Sequence, residues 1–399
     1  MKKNINSYLL IYLSSLAFFY IFFLYFKHLT GNDSTVAEYL INYEGGFTKR
    51  GIIGQISIIF SRILDLELRF VIYLIQVLFS LLYLFLIYNF FKFYKFNRLT
   101  LLALFSPIFI LYPVAEIEVL ARKEIIVFVL FLIYLFIPQI NYVKSISLSI
   151  FFVLAILIWE PTIFFIPIIL ALEIVNNKIK KFDLELVKIV FCLVPGLMIA
   201  FYIALNPISN ENYMIMKSVL KNEFGEACYG ACSILYHTST ISDQFEAQNS
   251  RYSIEVVLRY FLIILVGFAP LFILLKNSYT KNKNLFFFKN FNNLLYPTLI
   301  LLLPAVVLFP MAYDWARWVN ISYVYAIIFY FYLSKKNFIN TKNSFQKNYL
   351  FKLSKKTFII FFIIFCFSWN PKTVMTDDVG SIPIYRIPYK AIKTFNNNF

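Results

Sequence analysis

The sequence predicts an all-α, polytopic integral membrane protein with about eleven transmembrane helices and a cytoplasmic N-terminus. Three observations predict it. Hydrophobic residues make up 60% of the 399 positions and charged residues only 15%, against roughly 45–50% and about 25% in soluble domains. Apolar stretches approaching the roughly 20 residues that span a bilayer recur along the whole chain. Lysine and arginine also collect in alternate connecting segments, as the positive-inside rule requires.

Taken in order, the first span runs from about 8 to 26, after Lys2 and Lys3. It is too long for a signal-peptide core and lacks a small-residue cleavage site, so it reads as retained. Further apolar stretches follow near 70–90, 100–114, 125–140, 146–159, 162–175, 186–205, 256–275, 293–310, 318–333 and 357–369. Pro107, Pro113 and Pro167 interrupt two of them and predict kinks or half-helices. The intervening segments 1–7, 91–99, 141–145, 176–182, 276–291 and 334–356 hold 20 Lys and Arg residues and no acid. These segments are therefore assigned to the cytoplasm, and 18 of the 21 acids fall outside. All four tryptophans, Trp159, Trp315, Trp318 and Trp369, lie at the outer boundary, where an aromatic belt is expected. Neither a repeat nor a flexible linker divides the chain, so 1–399 reads as a single transmembrane domain. Its outer parts are a first loop at 27–69 with an interfacial helix, a long loop at 206–254, and a C-terminal tail at 370–399.

Several chemistries are excluded. The net charge of +16 in a membrane chain follows topology rather than nucleic acid. Four cysteines and two histidines show no zinc-ligand spacing, and neither phosphate-loop nor dinucleotide nor nucleophile-elbow motifs occur.

Polar residues concentrate on the outer side. Four of the ten glycines fall between 45 and 54, in Tyr43-Glu44-Gly45-Gly46-Phe47-Thr48-Lys49-Arg50-Gly51-Ile52-Ile53-Gly54. Gly45 and Gly46 permit positive φ and close backbone approach, and Lys49 and Arg50 add cations, a combination suited to phosphate. Glu116, Glu118, Arg122, Lys123 and Glu124 place five charges in nine positions, a density that is costly at a membrane boundary unless used or paired. A helix here would pair Glu118 with Arg122 at i,i+4, leaving Glu116 and Glu118 as acid/base candidates. Glu160 follows Trp159 at a tight turn, where it caps a helix or meets substrate. Asp314 and Arg317 are i,i+3 neighbours flanked by Trp315 and Trp318, as a salt bridge or a substrate contact. Cys228 and Cys232 are spaced for a small disulfide loop.

This layout, one span, a polar outer loop with an acid and an interfacial helix, then a second acidic pair, resembles the C-type membrane glycosyltransferases and related bacterial surface-polysaccharide polymerases. The segments Tyr-Glu-Gly-Gly-Phe-Thr-Lys-Arg-Gly and Asp-Trp-Ala-Arg-Trp are similar to stretches of such polymerase-like proteins. The resemblance implies an outer vestibule in the bacterial inner membrane where a polyprenyl-(pyro)phosphate-linked sugar is transferred to a glycan or lipid acceptor. It implies a first-loop acid at Glu38 or Glu44 and an acidic pair at Glu116 and Glu118 in the second loop, with catalytic roles for Glu44, Glu116 and Glu118. Gly45, Gly46, Lys49, Arg50, Arg122, Lys123, Glu160, Asp314 and Arg317 would bind substrate. It leaves room for a divalent cation (Mg or Mn) as cofactor, with no metal ligands assigned. The chain departs from the family pattern in lacking the first-loop acidic doublet, with only Asp33 nearby. The competing readings are a transporter or flippase of lipid-linked saccharides, which calls for mid-membrane polar residues and symmetry between halves, and a non-catalytic scaffold.

Overall fold

The computed structural model describes residues 2–29, 31, 33–237, 242, 246, 252–282, 284–341 and 349–374. The expected tail beyond 374 and parts of the long loop after 237 lie outside the described residues. In chain order the helices are α1 (Lys2–Leu29), α2 (Ser34–Ala37), α3 (Gly51–Leu64), α4 (Leu68–Phe91), α5 (Arg98–Leu104), α6 (Tyr112–Ala115), α7 (Glu124–Phe136), α8 (Asn141–Ile158) and α9 (Ile166–Asn176). They continue as α10 (Leu184–Leu205), α11 (Asn210–Phe224), α12 (Ala231–His237), α13 (Ile254–Lys276), α14 (Leu295–Leu302), α15 (Leu308–Met311), α16 (Trp315–Lys335), α17 (Tyr349–Lys352) and α18 (Lys355–Phe367).

Four of these are long and apolar enough to cross a membrane: Asn6–Leu29, Leu68–Phe91, Leu184–Leu205 and Ile254–Lys276. At 1.5 Å per residue they reach roughly 33–36 Å, the thickness of a hydrocarbon core and its margins. Their surfaces agree with a lipid solvent. On α10, Phe191, Met198, Phe201 and Leu205 are all exposed, as are Ile11, Phe18, Phe22 and Phe26 on α1, far more apolar surface than water tolerates. The protein is an all-α membrane protein at this level.

The chain forms two compact units. The first comprises 1–93, 117–163 and 187–247. Within it α4 packs against α1, α3 and α7, and α8 lies on α7 and α3. The second comprises 94–116, 164–186 and 248–399. It is built around α16, which packs on α9, α13, α14 and α15. Every residue of α16 from Trp315 to Leu333 is buried. Three of its tyrosines bond to protein: Tyr323 Oη donates to the Ala103 carbonyl at 2.7 Å, Tyr332 Oη donates to Asn176 at 2.9 Å, and Tyr330 Oη lies 3.2 Å from Ser278 Oγ, as buried hydroxyls favour.

The proline-marked stretches are broken rather than continuous. Helix α5 stops at Leu104, and irregular backbone carries Pro107 to α6; a 3-10 segment, Glu160–Phe165, precedes α9 with its Pro167. A short antiparallel ribbon, β1 (Ser278–Thr280) with β2 (Ile339–Thr341), pairs Tyr279 with Asn340, a departure from an all-helical expectation. The tryptophans do not form a lipid-facing belt. All four are buried, and Trp315, Trp318 and Trp369 spend their indole N–H on the carbonyls of Phe309, Ala312 and Phe365. They act as packing posts that satisfy carbonyls at turns and helix ends.

Candidate functional site

The first unit gathers most of the polar residues singled out in the sequence. Arg50 adopts a left-handed conformation (φ 62°) immediately before α3, which starts at Gly51 with no side-chain cap. Its guanidinium forks onto Glu160: Nε donates to Oε2 and Nη2 to Oε1, each at 2.7 Å. Lys123, fully buried, donates to the Arg50 carbonyl and lies 5.7 Å from the Tyr39 ring centroid. Burial pushes the Lys123 ammonium down to about 7, Arg50 adding to the fall and Glu38 and Glu160 opposing it. Lys49, half-buried, has no hydrogen-bond or ion-pair partner among the described residues. Burial and Arg50 lower it, while Glu160 pulls the other way. Burial alone would raise the Glu160 carboxyl, but Arg50 and Lys49 outweigh it and hold it below the usual range. Arg50 and Lys49 thus act on Glu160, and Lys123 on both Glu160 and Glu38, at the dipole-positive start of a 14-residue helix whose Gly51 lies against the Tyr43 ring.

A second cluster sits at the end of α1. Asp33 caps α2, accepting from the Thr35 amide at 2.8 Å, and its other oxygen meets Lys27 Nζ at 2.6 Å. The same ammonium lies 3.3 Å from Glu118, which also accepts from Ser34 Oγ at 2.5 Å. Asp33 and Glu118, 85 residues apart, are therefore joined through one lysine.

The expected i,i+4 pair of Glu118 and Arg122 does not form, because the helix is interrupted. Ile117–Val119 is a single 3-10 turn and Ala121 is left-handed at φ 49°. Arg122 turns instead to Glu38, a fully buried carboxylate, with Nη2 to Oε1 at 2.5 Å, and the Lys123 amide approaches the second oxygen at 3.4 Å.

Glu44 is fixed rather than available. Arg62 grips both its oxygens at 3.0 Å, Gln55 Nε2 donates at 2.7 Å, and Arg62 also holds Glu223 of α11 at 2.6 Å. The Arg62 hydrogen bonds lead in holding the Glu44 carboxyl below its ordinary value, aided by Gln55 against some burial. The glycines serve the same packing. A Cβ on Gly45 would lie 1.9 Å from the Asn212 carbonyl oxygen, so its bareness admits α11. Gly46 (φ 112°) closes a turn by donating its amide to the Tyr43 carbonyl at 2.9 Å. The Gly46 amide is thereby engaged within its own turn. Along α3, the outward stripe Ile56, Ile59, Phe60, Ile63 and Leu64 is exposed while Gly54, Ser57 and Ser61 are buried. This is an apolar face without protein cover, as an interfacial helix presents. Cys228 and Cys232 are disulfide-bonded, their Cα atoms 5.2 Å apart.

Glu116, Asp314 and Arg317 belong to the second unit. Glu116 meets Lys372 Nζ at 3.1 Å and Asn370 Nδ2 at 3.4 Å. Arg317, almost wholly buried, pairs with Asp314 at 3.3 Å and approaches the Trp318 ring at 5.4 Å.

For a divalent cation the residues fit poorly. Among the described residues no three His, Cys, Asp or Glu groups gather as ion ligands, and Asp33 and Glu118 both converge on an ammonium. Lys27 is a residue of this cluster that no pattern in the sequence marks, whereas Asp33 and Glu38 are marked there only as acids of the first outer loop. The chain matches no protein-family model, no curated protein and no solved structure.

Proposed function

We propose that this protein is a membrane glycosyltransferase or polysaccharide polymerase of the hexosyltransferase type. It uses a polyprenyl-(pyro)phosphate-linked sugar at the outer face of the bacterial inner membrane. The observation that carries the reading is the pair of cations on one carboxylate at the start of α3, Arg50 and Lys49 acting on Glu160, with Lys123 shared between Glu160 and Glu38. Two cations sharing one carboxylate favour an anionic ligand, and the dipole-positive helix start beside them adds to the attraction. The lipid character of that ligand is supported by the apolar stripe of α3, which begins one turn further along.

In this reading the topology is the eleven-span one with the N-terminus inside, supported by the charge asymmetry of the connecting segments. The phosphate rests on Arg50 and Lys49 at the start of α3, where fixed cations stabilise the charge left on the leaving group. An acceptor hydroxyl attacks the anomeric carbon, the bond from that carbon to the phosphate oxygen breaks, and the hydroxyl proton passes to a carboxylate. Glu118 suits that role best. Its side chain is 51% exposed, whereas Glu44 is held by Arg62 and Gln55 and Glu116 is buried against Lys372.

The test is sugar transfer by purified protein given lipid extract of its native membrane as donor source and labelled acceptor. Arg50→Ala is expected to lower the rate about 10²- to 10³-fold with donor binding weakened. Glu118→Gln is expected to stop transfer while donor binding persists. Full transfer by both variants would sink the mechanism and favour a flippase.

A further inference from the structure

The contact between Arg50 and Glu160 has the form of a ligand contact made by the protein to itself. Each carboxylate oxygen takes one N–H of the fork at 2.7 Å, the arrangement in which a guanidinium also holds two oxygens of a phosphate. Lys49 and Lys123 act on the same carboxylate, and Lys49 has no hydrogen-bond or ion-pair partner among the described residues. The Glu160 side chain keeps 23% of its surface open and stands at the first residue of a short 3-10 segment.

We infer that Glu160 is a specificity-determining residue that occupies the ligand phosphate's place on Arg50, so that a diphosphate displaces it and a singly charged phosphodiester does not. This rests on the phosphate-binding reading of the same site. A phosphodiester offers two free oxygens and one negative charge, which is what the carboxylate already provides, so exchanging one for the other gains nothing. A sugar-linked diphosphate carries two charges and further free oxygens, so it satisfies Arg50 and reaches Lys49 as well. A site open to lipid faces a large excess of phosphodiester headgroups, and rejecting them requires an element that disfavours the wrong ligand rather than only contacts to the right one. The donor class selected is therefore the diphosphate-linked sugar over the monophosphate-linked one.

The experiment uses the purified full-length chain in detergent, with farnesyl diphosphate and dioctyl phosphate as probes and calorimetric titration as readout. The wild-type protein is expected to prefer farnesyl diphosphate, and Glu160→Gln to shrink that preference at least about tenfold, chiefly by tightening dioctyl phosphate. Glu160→Asp, which keeps the charge, is expected to retain the wild-type preference, and it carries the test if the Gln variant fails to fold. An unchanged ratio in Glu160→Gln, weaker binding of both probes in it, or a collapsed ratio in Glu160→Asp would overturn the inference. If neither probe binds the wild-type protein better than Arg50→Ala, the phosphate reading of the site fails instead, an outcome distinct from binding without selectivity.

Discussion

The ammonium of Lys123 donates to the carbonyl of Arg50, the residue that turns left-handed just before α3. One buried lysine from the second polar segment thus supports the turn that aims the Arg50 fork. A non-glycine residue in this conformation costs about 1 kcal/mol, so the turn needs such support. Lys123→Met, which keeps length but cannot donate, is expected to weaken binding of inorganic pyrophosphate at least about tenfold, with α-helical circular dichroism preserved. Unchanged affinity would show that Arg50 is positioned by Glu160 alone.

Burial also makes Lys123 a source of pH-dependent stability. Its folded value, about 7, lies below that of a solvated lysine, so between roughly pH 7 and 10 the unfolded chain binds more protons than the folded one. Stability contributed by this group therefore rises with pH through that window and is lowest once both states are protonated. Lys49, shifted the same way, adds to the slope. In detergent, the melting temperature of wild type relative to Lys123→Met is expected to climb from pH 7 to 9.5; a flat difference would contradict the burial of a lowered ammonium.

Glu44 is predicted to be an anchor for α11 rather than a proton acceptor. Arg62, which joins it to Glu223, is 39% exposed, so the contribution is the 0–1 kcal/mol of a partly solvated pair. Glu44→Gln should lower the melting temperature slightly and leave sugar transfer within about threefold of wild type. A complete loss of transfer with unchanged stability would return the base to Glu44.

Gly45→Ala has to displace the Asn212 carbonyl, which lies 1.9 Å from the new methyl position. Overpacking of this kind costs about 1–3 kcal/mol. The expected result is a lower melting temperature together with faster proteolysis within 210–224; unaltered stability would mean that α11 does not rest on this turn.

What was legible in the sequence was the part governed by local composition. The four long apolar helices, the breaks near Pro107 and Pro167, the Asp314–Arg317 pair and the 228–232 disulfide all follow from short-range spacing. Partners set by the fold were not legible. Arg122 looked like the i,i+4 mate of Glu118 until a left-handed Ala121 broke the helix and delivered it to Glu38, 84 residues away. The close approach of α11 to Gly45, coming from a segment 167 residues later, leaves no trace nearby in the sequence. Tryptophans at span ends carry the same signal whether they face lipid or, as here, protein.

The central claim is that a lipid-linked phosphate sits at the start of α3. Photo-crosslinking with a diazirine-bearing polyprenyl diphosphate, followed by peptide mapping, tests it most directly. The account predicts labelling within 43–64, competed by unlabelled farnesyl diphosphate and lost in Arg50→Ala. Labelling confined to other segments, or labelling of 43–64 that Arg50→Ala leaves unchanged, would contradict it.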